Sequence, residues 1–498
     1  MKKLLRNNSL ILLFIGTCHF CWSQTKHGNQ WLIGSMQNVL DFNSAPTQLD
    51  TSLNYSVPFM AQGKSNICDS SGQLLMFCNG MRLFNASGNL IESGDTLVPL
   101  AYYNYYFSVS IVSQSSIILP VDSDQYFLFT PVPTDSNFNA NWITNVDAYF
   151  DELWYHRIDM RANGGAGKVM KKKVPILQHV KLSQSQMMAC RHANGKDWWL
   201  VKMAIDSHKA YVFYVGHDTV FLQHTIIFPF AKIRKELHGQ SSFDANGEHF
   251  ATVSNNFTGE FFYGDFDRCT GMLSSMKRAV APHKPFNATI DSSITGLCLS
   301  PNGQLIYVIK KSHVLQFRIS DSTFYTVSGP DTTDIAFQGY KDGAVAPDGK
   351  LYVGTYGIIY KSMSVIDNPN GLYSTCNFCR RCLRSEASLG TLGVPPCMPD
   401  FALGPLTPCW PNAIDDMKYE PEYRIYPNPV QEQLNIEWQA SNLRFIELRD
   451  IGGQILAQQT VEPGSHHIEI DMSGYASGIY LIQLKNNLGA VYMKKVIK

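Results

Sequence analysis

Apolar and polar residues alternate in short runs along almost the whole chain, and the runs are cut by Gly, Asn, Asp and Pro. Alternation with period two over about 4–8 residues marks half-buried strands, and long helical periodicity is scarce. One unit recurs: an apolar strand, a tight turn ending in Gly, and a second apolar strand. It reads Ile67-Cys68-Asp69-Ser70-Ser71-Gly72-Gln73-Leu74-Leu75, and again Ala189-Cys190-Arg191-His192-Ala193-Asn194-Gly195 followed by Asp197-Trp198-Trp199-Leu200. It returns at Ser242–Phe250, Leu297–Leu305 and Ala344–Tyr352, with turn glycines Gly247, Gly303 and Gly349. A copy at Pro120–Phe127 lacks the Gly. Asn-Gly and Asp-Gly suit these turns because the backbone there needs positive φ.

The turn positions 72, 124, 195, 247, 303 and 349 are separated by 52, 71, 52, 56 and 46 residues. Propeller blades recur every ~40–50 residues, each sheet burying its faces only by stacking on its neighbours. The expected architecture is therefore all-β: a WD-like β-propeller of about seven blades, six or eight remaining open, over residues 24–405. The strands Gln30–Gly34 and Val39–Phe42 are expected to close the ring against a late strand near Pro399–Leu403. Residues 406–424, rich in Pro and acidic side chains, read as a linker.

From residue 425 the alternation becomes that of a small antiparallel β-sandwich. Tyr426-Pro427-Asn428-Pro429 opens it, Ile446–Gln454 and Ile468–Ser473 continue it, and Ser477-Gly478-Ile479-Tyr480-Leu481-Ile482 and Lys494-Lys495-Val496-Ile497-Lys498 close it. In their order these landmarks resemble the type A C-terminal sorting domain of type IX secretion cargo. The resemblance implies a Gram-negative envelope, contact with the type IX machinery, export across the outer membrane and removal of residues 425–498 at the cell surface. Tyr426, Pro427, Asn428 and Pro429 are then an opening strand. Gly453 and Gly478 are expected to serve tight turns, and Tyr480, Lys494 and Lys495 belong to the closing motif.

The propeller region also resembles the secreted propellers of type IX cargo, including those associated with gliding motility. The shared landmarks include Asp69-x-x-Gly72-x-Leu74-Leu75-x-Phe77, Gln114–Pro120 with Tyr126–Thr130, His192-x-Asn194-Gly195-x-Asp197-Trp198-Trp199 and Tyr263-x-Asp265-Phe266-Asp267-Arg268-x-Thr270-Gly271. The cysteine-rich stretch around Cys376 departs from that pattern, as does the single-propeller layout. This likeness implies a location and a fold without a chemistry.

The beginning of the chain agrees with export. Met1-Lys2-Lys3 and Arg6 precede an apolar run from Leu10 to Gly16, and Cys21-Trp22-Ser23 offers small side chains for cleavage, so residues 1–23 are expected to be a signal peptide. No later segment is apolar for the ~18 residues that a membrane-spanning helix needs. Forty-one basic and forty-one acidic residues leave no net charge, which argues against nucleic acid or an anionic membrane as partner.

Chemistry is harder to find. Neither Gly-x-Ser-x-Gly nor His-Glu-x-x-His occurs. Cys376, Cys379, Cys382, Cys397 and Cys409 form the densest cysteine group; thiolates so spaced can hold zinc, but export favours disulfides. Cys68, Cys190 and Cys298 sit at equivalent strand positions and read as core residues. Tyr102-Tyr103-Asn104-Tyr105-Tyr106-Phe107 reads as a strand packed on both sides, or as a set of aromatic faces for a sugar or a protein. Asp122–Asp124 and Asp342 have oxygen ligands suited to Ca²⁺ but no complete loop motif. His192, His238, His249 and His313 lie on different blades, where convergence at the axis would make a site. Gly164-Gly165-Ala166-Gly167-Lys168 is a turn rather than a phosphate loop, and Lys171-Lys172-Lys173 a solvated strand end. No cofactor or metal site is expected. The leading expectation is a non-enzymatic binding or adhesion protein contacting extracellular protein or glycan. The alternatives are a propeller hydrolase or lyase acting on extracellular polysaccharide or peptide, and a structural component of surface motility.

Overall fold

Strand-forming residues and Gly-terminated turns alternate so regularly that the chain builds one antiparallel meander after another. The computed structural model describes residues 26–33, 38–50, 61–143, 149–205, 209–228, 239–255, 258–282, 294–330, 339–355, 362–384, 395–397, 399–406, 423–438, 443–450, 454–462, 464–486 and 491–498. Among these residues seven antiparallel blades follow in chain order. Blades 1 and 2 have three strands each, Gln30–Ile33, Asn38–Asp41 and Gln48–Asp50, then Ser65–Cys68, Leu74–Cys78 and Leu83–Asn85. Blades 5, 6 and 7 have four strands each, beginning at Ser241–Phe243, Ile294–Leu299 and Tyr340–Val345.

Blades 3 and 4 are joined by one strand, Lys168–Arg191. Its first part pairs with Phe150–Asp159 as the outer strand of blade 3, and its last part, Met187–Arg191, pairs with Trp198–Ala204 as the inner strand of blade 4. This strand and an insertion before Phe150 account for the long spacing between the turns at 124 and 195.

The blades form a closed ring because each apolar face is covered by the next blade. Leu32 and Val39 of blade 1 pack with Phe77 and Phe84 of blade 2, and one cluster joins blades 2, 3 and 4 through Ile67, Ile117 and Trp198. Trp199 of blade 4 meets Phe262 of blade 5, Phe261 of blade 5 meets Leu315 of blade 6, and Tyr307 of blade 6 meets Tyr340 of blade 7. Trp31, Ile33 and Leu40 of blade 1 then pack on Tyr352, Met363 and Val365 of blade 7. A hydrogen bond from Thr47 Oγ1 to Asp348 Oδ2, 2.8 Å, spans the same junction.

The recurrent turns fasten neighbouring blades. Gly247 has φ +67°, and a Cβ there would lie 2.5 Å from Cys190 Sγ of the preceding blade; Gly303, at φ +68°, would meet His249 Nδ1 at 2.4 Å. Only glycine fits both the backbone and the space. Cys68, Cys190 and Cys298 are buried, as their strand positions imply, and burial raises all three thiols.

The ring closes without the late strand expected near Pro399–Leu403. Blade 1 is complete in itself, and residues 399–403 form no strand. Residues 395–397 and 399–406 instead pack against the inner parts of several blades. Cys397 N–H donates to Lys64 O at 3.0 Å and its thiol to Met187 O at 3.7 Å. Phe401 packs edge-on against Trp198 and His27. Arg268 Nη2 holds Gly404 O at 2.5 Å, and Leu406 N–H reaches Ala193 O at 3.0 Å beside the turn of Gly195.

The C-terminal unit is a sandwich of two sheets. Tyr423–Tyr426, Gln433–Trp438 and His467–Asp471 form one, and Ile455–Thr460, Leu443–Asp450, Ile479–Asn486 and Val491–Ile497 the other. Ile436, Ile446, Leu448, Ile482 and Val496 fill the space between them. No helix among the described residues is long and apolar enough to cross a membrane.

Candidate functional site

The sequence Tyr102–Phe107 forms no strand. Pro99 starts a short helix, Leu100–Tyr105, because its fixed φ and missing N–H suit a helix start. The helical spacing places Tyr102 and Tyr106 together, ring centroids 5.2 Å apart. A second insertion comes from the connection between the second and third strands of blade 3. Thr134 caps it, accepting Asn137 N–H at 3.1 Å, and its turn Phe138–Trp142 carries more aromatic rings. Trp142 stacks on Phe150 at 5.4 Å and donates from Nε1 to Tyr106 OH at 2.8 Å. Asp135 Oδ1 accepts Ala101 N–H at 2.9 Å, tying the two insertions together.

Buried Tyr102 touches Phe138, Trp142 and Phe150 and makes the base rigid. Tyr105, 52% exposed, packs on this base through Tyr106 and Phe138, and Phe107, just after the helix, is 88% exposed. Phe107 has φ +53° and Ser108 φ +64°. A bulky residue held in left-handed backbone with its ring in water is a strained arrangement of the kind found at functional sites. Residues 99–111 and 133–143 contain one charged side chain, Asp135, which is engaged in the hydrogen bond above. The exposed amides of Asn104 and Asn139 lie on the same insertions. The platform is aromatic with neutral amides on the same insertions, and carboxylates adjoin it: Asp135 is exposed, Asp95 accepts Tyr103 OH at 2.7 Å and Asp151 accepts Thr134 Oγ1 at 2.7 Å.

The ring axis is a second polar feature, where groups from several blades meet. Gln240 of blade 5 accepts Leu297 N–H of blade 6 and Gly343 N–H of blade 7, both at 3.0 Å, and donates to Gly343 O at 3.1 Å. Gln114 pairs twice with the backbone of Ser241, 2.9 Å each way. Asp342, buried at φ +34°, takes Ser113 Oγ on one oxygen at 2.5 Å, while Oδ1 has no hydrogen-bond partner among the described residues. Burial raises its carboxyl and lowers the nearby Lys64 and Lys341 ammonium groups to about 8, against the attraction between the opposite charges. Cys397, itself buried, lies within electrostatic reach of Asp342 and Lys202.

The remaining sequence candidates are dispersed. His192 packs on Trp199, His249 pairs with Asp244 at 2.8 Å, and His313 bonds Ser312, all away from one another; His238 lies outside the described residues. Gly164 and Gly165 form an open turn, and Lys168 pairs with Glu92 at 2.5 Å. Lys173 lies over the Trp154 ring. Among the described residues no group of three or more His, Cys, Asp or Glu is placed to hold a metal ion. Cys376, Cys379, Cys382 and Cys397, considered above for disulfides, are free thiols; Cys376 and Cys397 are buried in different places, which keeps them apart. Cys409 lies outside the described residues. Cys269, which its spacing did not single out, is disulfide-bonded.

In the C-terminal sandwich the expected motif residues serve as fasteners. Tyr426 OH donates to Glu437 at 2.6 Å, between Pro427 and the adjoining strand. Asn428 clamps the last strand through Lys495 O and Ile497 N–H, at 3.0 and 2.9 Å, and Pro429 follows it. Lys494 Nζ reaches Ile425 O and Tyr480 OH reaches Ala476 O. Gly478 exchanges two 2.9 Å backbone bonds with Lys498 and does not use positive φ, while Gly453 lies outside the described residues.

Comparison with known proteins agrees with this unit. Residues 424–498 match the family model described as the secretion system C-terminal sorting domain. No curated protein matches the chain. Among solved structures, the periplasmic gluconolactonase of Pseudomonas aeruginosa is 13% identical, with a TM-score of 0.38, covering 89% of this chain and 98% of that one. The WD40 domain of Toxoplasma gondii coronin is 10% identical, with a TM-score of 0.34, covering 77% and 80%. Likenesses this low carry no argument; the propeller rests on the order and packing of its own sheets. The sorting domain makes the chain cargo of the type IX machinery of Gram-negative bacteria, exported to the outer surface or the medium.

Proposed function

We propose that this exported propeller is a non-enzymatic binding protein, and that the Tyr105–Phe107 platform takes a neutral saccharide. The observation that carries the reading is Phe107, an almost fully exposed ring on left-handed backbone, two residues after Tyr105, which itself stands exposed on a locked aromatic base. A sugar ring presents a C–H face that lies against an aromatic face, and its hydroxyls bond to neutral amides at the rim. The exposed amides of Asn104 and Asn139 and the neighbouring carboxylates offer partners to hydroxyls, and the carboxylates disfavour an acidic ligand. Display on a rigid ring, outside the cell, suits adhesion.

The competing reading, a hydrolase or lyase, has one group in its favour: the Asp342 carboxyl with an unengaged oxygen. Against it stands the burial of Asp342, which is 3% exposed. The test is binding of the mature chain to an array of neutral and charged glycans, beside Tyr105→Ala and Phe107→Ala. The reading expects neutral glycans to be retained by the wild type and lost by at least tenfold in affinity in each variant. Retention unaffected by both substitutions would refute it.

A further inference from the structure

Cys379 and Cys382 stand apart from the other thiols of this chain. Six of the eight free cysteines among the described residues are buried, whereas Cys379 is half-buried and Cys382 exposed. Both lie on Phe378–Arg384, the outer strand of blade 7. The strand shifts register against Ser362–Ile366 between Leu383 and Cys379, and Arg381 within the bulge has φ +49°. A bulge of this kind turns residues three apart toward one side. The two thiols are accordingly in hydrogen-bonding contact, and Cys382 Sγ also lies 3.4 Å from Cys379 O.

The bulge is held from both flanks. Arg380 Nη2 reaches Ser328 Oγ at 2.8 Å and Gly329 O at 3.1 Å on blade 6. Arg381 N–H donates to Ser364 Oγ at 3.0 Å on blade 7. The pair therefore stays together without a bond between the sulfurs. Closing so short a loop constrains the unfolded chain far less than a long-range cross-link does, so the arrangement serves chemistry better than it serves stability. Export carries it to a compartment where disulfides form and persist.

We propose that Cys379 and Cys382 are a surface site of reversible thiol–disulfide exchange whose co-reactant is an organic disulfide. The exposed Cys382 sulfur attacks one sulfur of the disulfide R–S–S–R, breaking that bond, forming a mixed disulfide and releasing one RS⁻. The Cys379 sulfur then displaces the second RS⁻ and forms the Cys379–Cys382 bond. The two thiol protons end on the two released RSH molecules; the protein gives up two electrons and the disulfide gains them. Burial and the adjoining Cys379 thiol push the Cys382 thiol up to about 12, which slows attack at neutral pH, so the informative quantity is an equilibrium rather than a rate.

The test uses the mature full-length chain, reduced and then equilibrated in mixtures of oxidised and reduced glutathione. Free thiols are trapped by alkylation and located by peptide mass mapping. The peptide carrying Cys379 and Cys382 is expected to pass from two alkyl groups to none, with loss of two hydrogens, as the oxidised fraction rises, and to return when the ratio is reversed. In Cys379→Ser, Cys382 is expected to hold one glutathione; in Cys382→Ser, Cys379 is expected to remain alkylatable. The proposal is overturned if both cysteines stay alkylatable at every ratio or if Cys382 bonds to another cysteine such as Cys376. A Cys379–Cys382 bond that reduced glutathione never reopens overturns it as well.

Discussion

Phe107 concentrates the conflict between stability and use. Its left-handed backbone costs about 1 kcal/mol relative to a residue at ease there, and its exposed ring returns little of that through packing. Replacing it by glycine relieves the backbone and removes the ring, so Phe107→Gly is expected to change unfolding free energy by less than about 1 kcal/mol while abolishing saccharide retention. Urea unfolding beside the glycan array checks both halves. Gln240 is the opposite case, a residue whose work is internal. Gln240→Ala leaves the Leu297 and Gly343 backbone groups buried without partners and is expected to cost ~2–4 kcal/mol in the same measurement. His156, buried in blade 3 between Thr130 Oγ1 and Lys173 N–H, is pushed down to about 3, first by burial and then by Lys172 and Lys173. It stays neutral in the fold, whereas the unfolded chain takes up a proton below about 6.5. Stability is therefore full above pH 6.5 and is lost as pH falls toward 3, by up to ~4 kcal/mol from this residue. A His156→Gln variant is expected to show a shallower loss over that window in thermal unfolding scans.

At the scale of elements, some features were legible in the sequence and others were not, for separable reasons. The turns ending at Gly72, Gly195, Gly247, Gly303 and Gly349 were plain because a positive φ and an Asp or Asn turn residue leave a local signature. The Leu100–Tyr105 helix is hidden in the sequence, since five aromatic residues among the six of Tyr102–Phe107 read as strand by propensity and only Pro99 hints otherwise. The segment 399–406 was misread as a ring-closing strand, because Phe401 and Leu403 are apolar whether they pair in a sheet or pack against the blades. The Phe401 contacts make a prediction: Phe401→Ala is expected to cost ~3–5 kcal/mol of propeller stability, read by thermal unfolding, whereas a loosely attached tail would show no change. The sorting sandwich supplies another. Removing residues 426–498 is expected to leave a folded propeller retained in the periplasm, judged by cell fractionation and surface proteolysis. Normal surface display of the truncated chain would refute the sorting role.

At the scale of the whole molecule, the ring creates proximity that no linear motif records. Lys64, Gln114, Gln240, Lys341 and Asp342 lie before or early in the inner strands of four different blades, and closure of the ring gathers them. Of the candidate sites, the sequence singled out the aromatic run and Asp342 but assigned neither its surroundings. Tyr105 and Phe107 become a platform through residues 133–143, and Asp342 becomes a buried axial carboxyl rather than a calcium ligand. The sorting domain makes the chain exported cargo, and the proposed binding site is the exposed Tyr105–Phe107 platform rather than the buried Asp342. The most direct measurement is glycan retention and glycan turnover scored together on one sample of the mature chain, wild type beside Phe107→Gly and Asp342→Asn. The account predicts retention of neutral glycans without cleavage, lost in Phe107→Gly and kept in Asp342→Asn. Cleavage that depends on Asp342 would contradict it and move the working site from the platform to the axis.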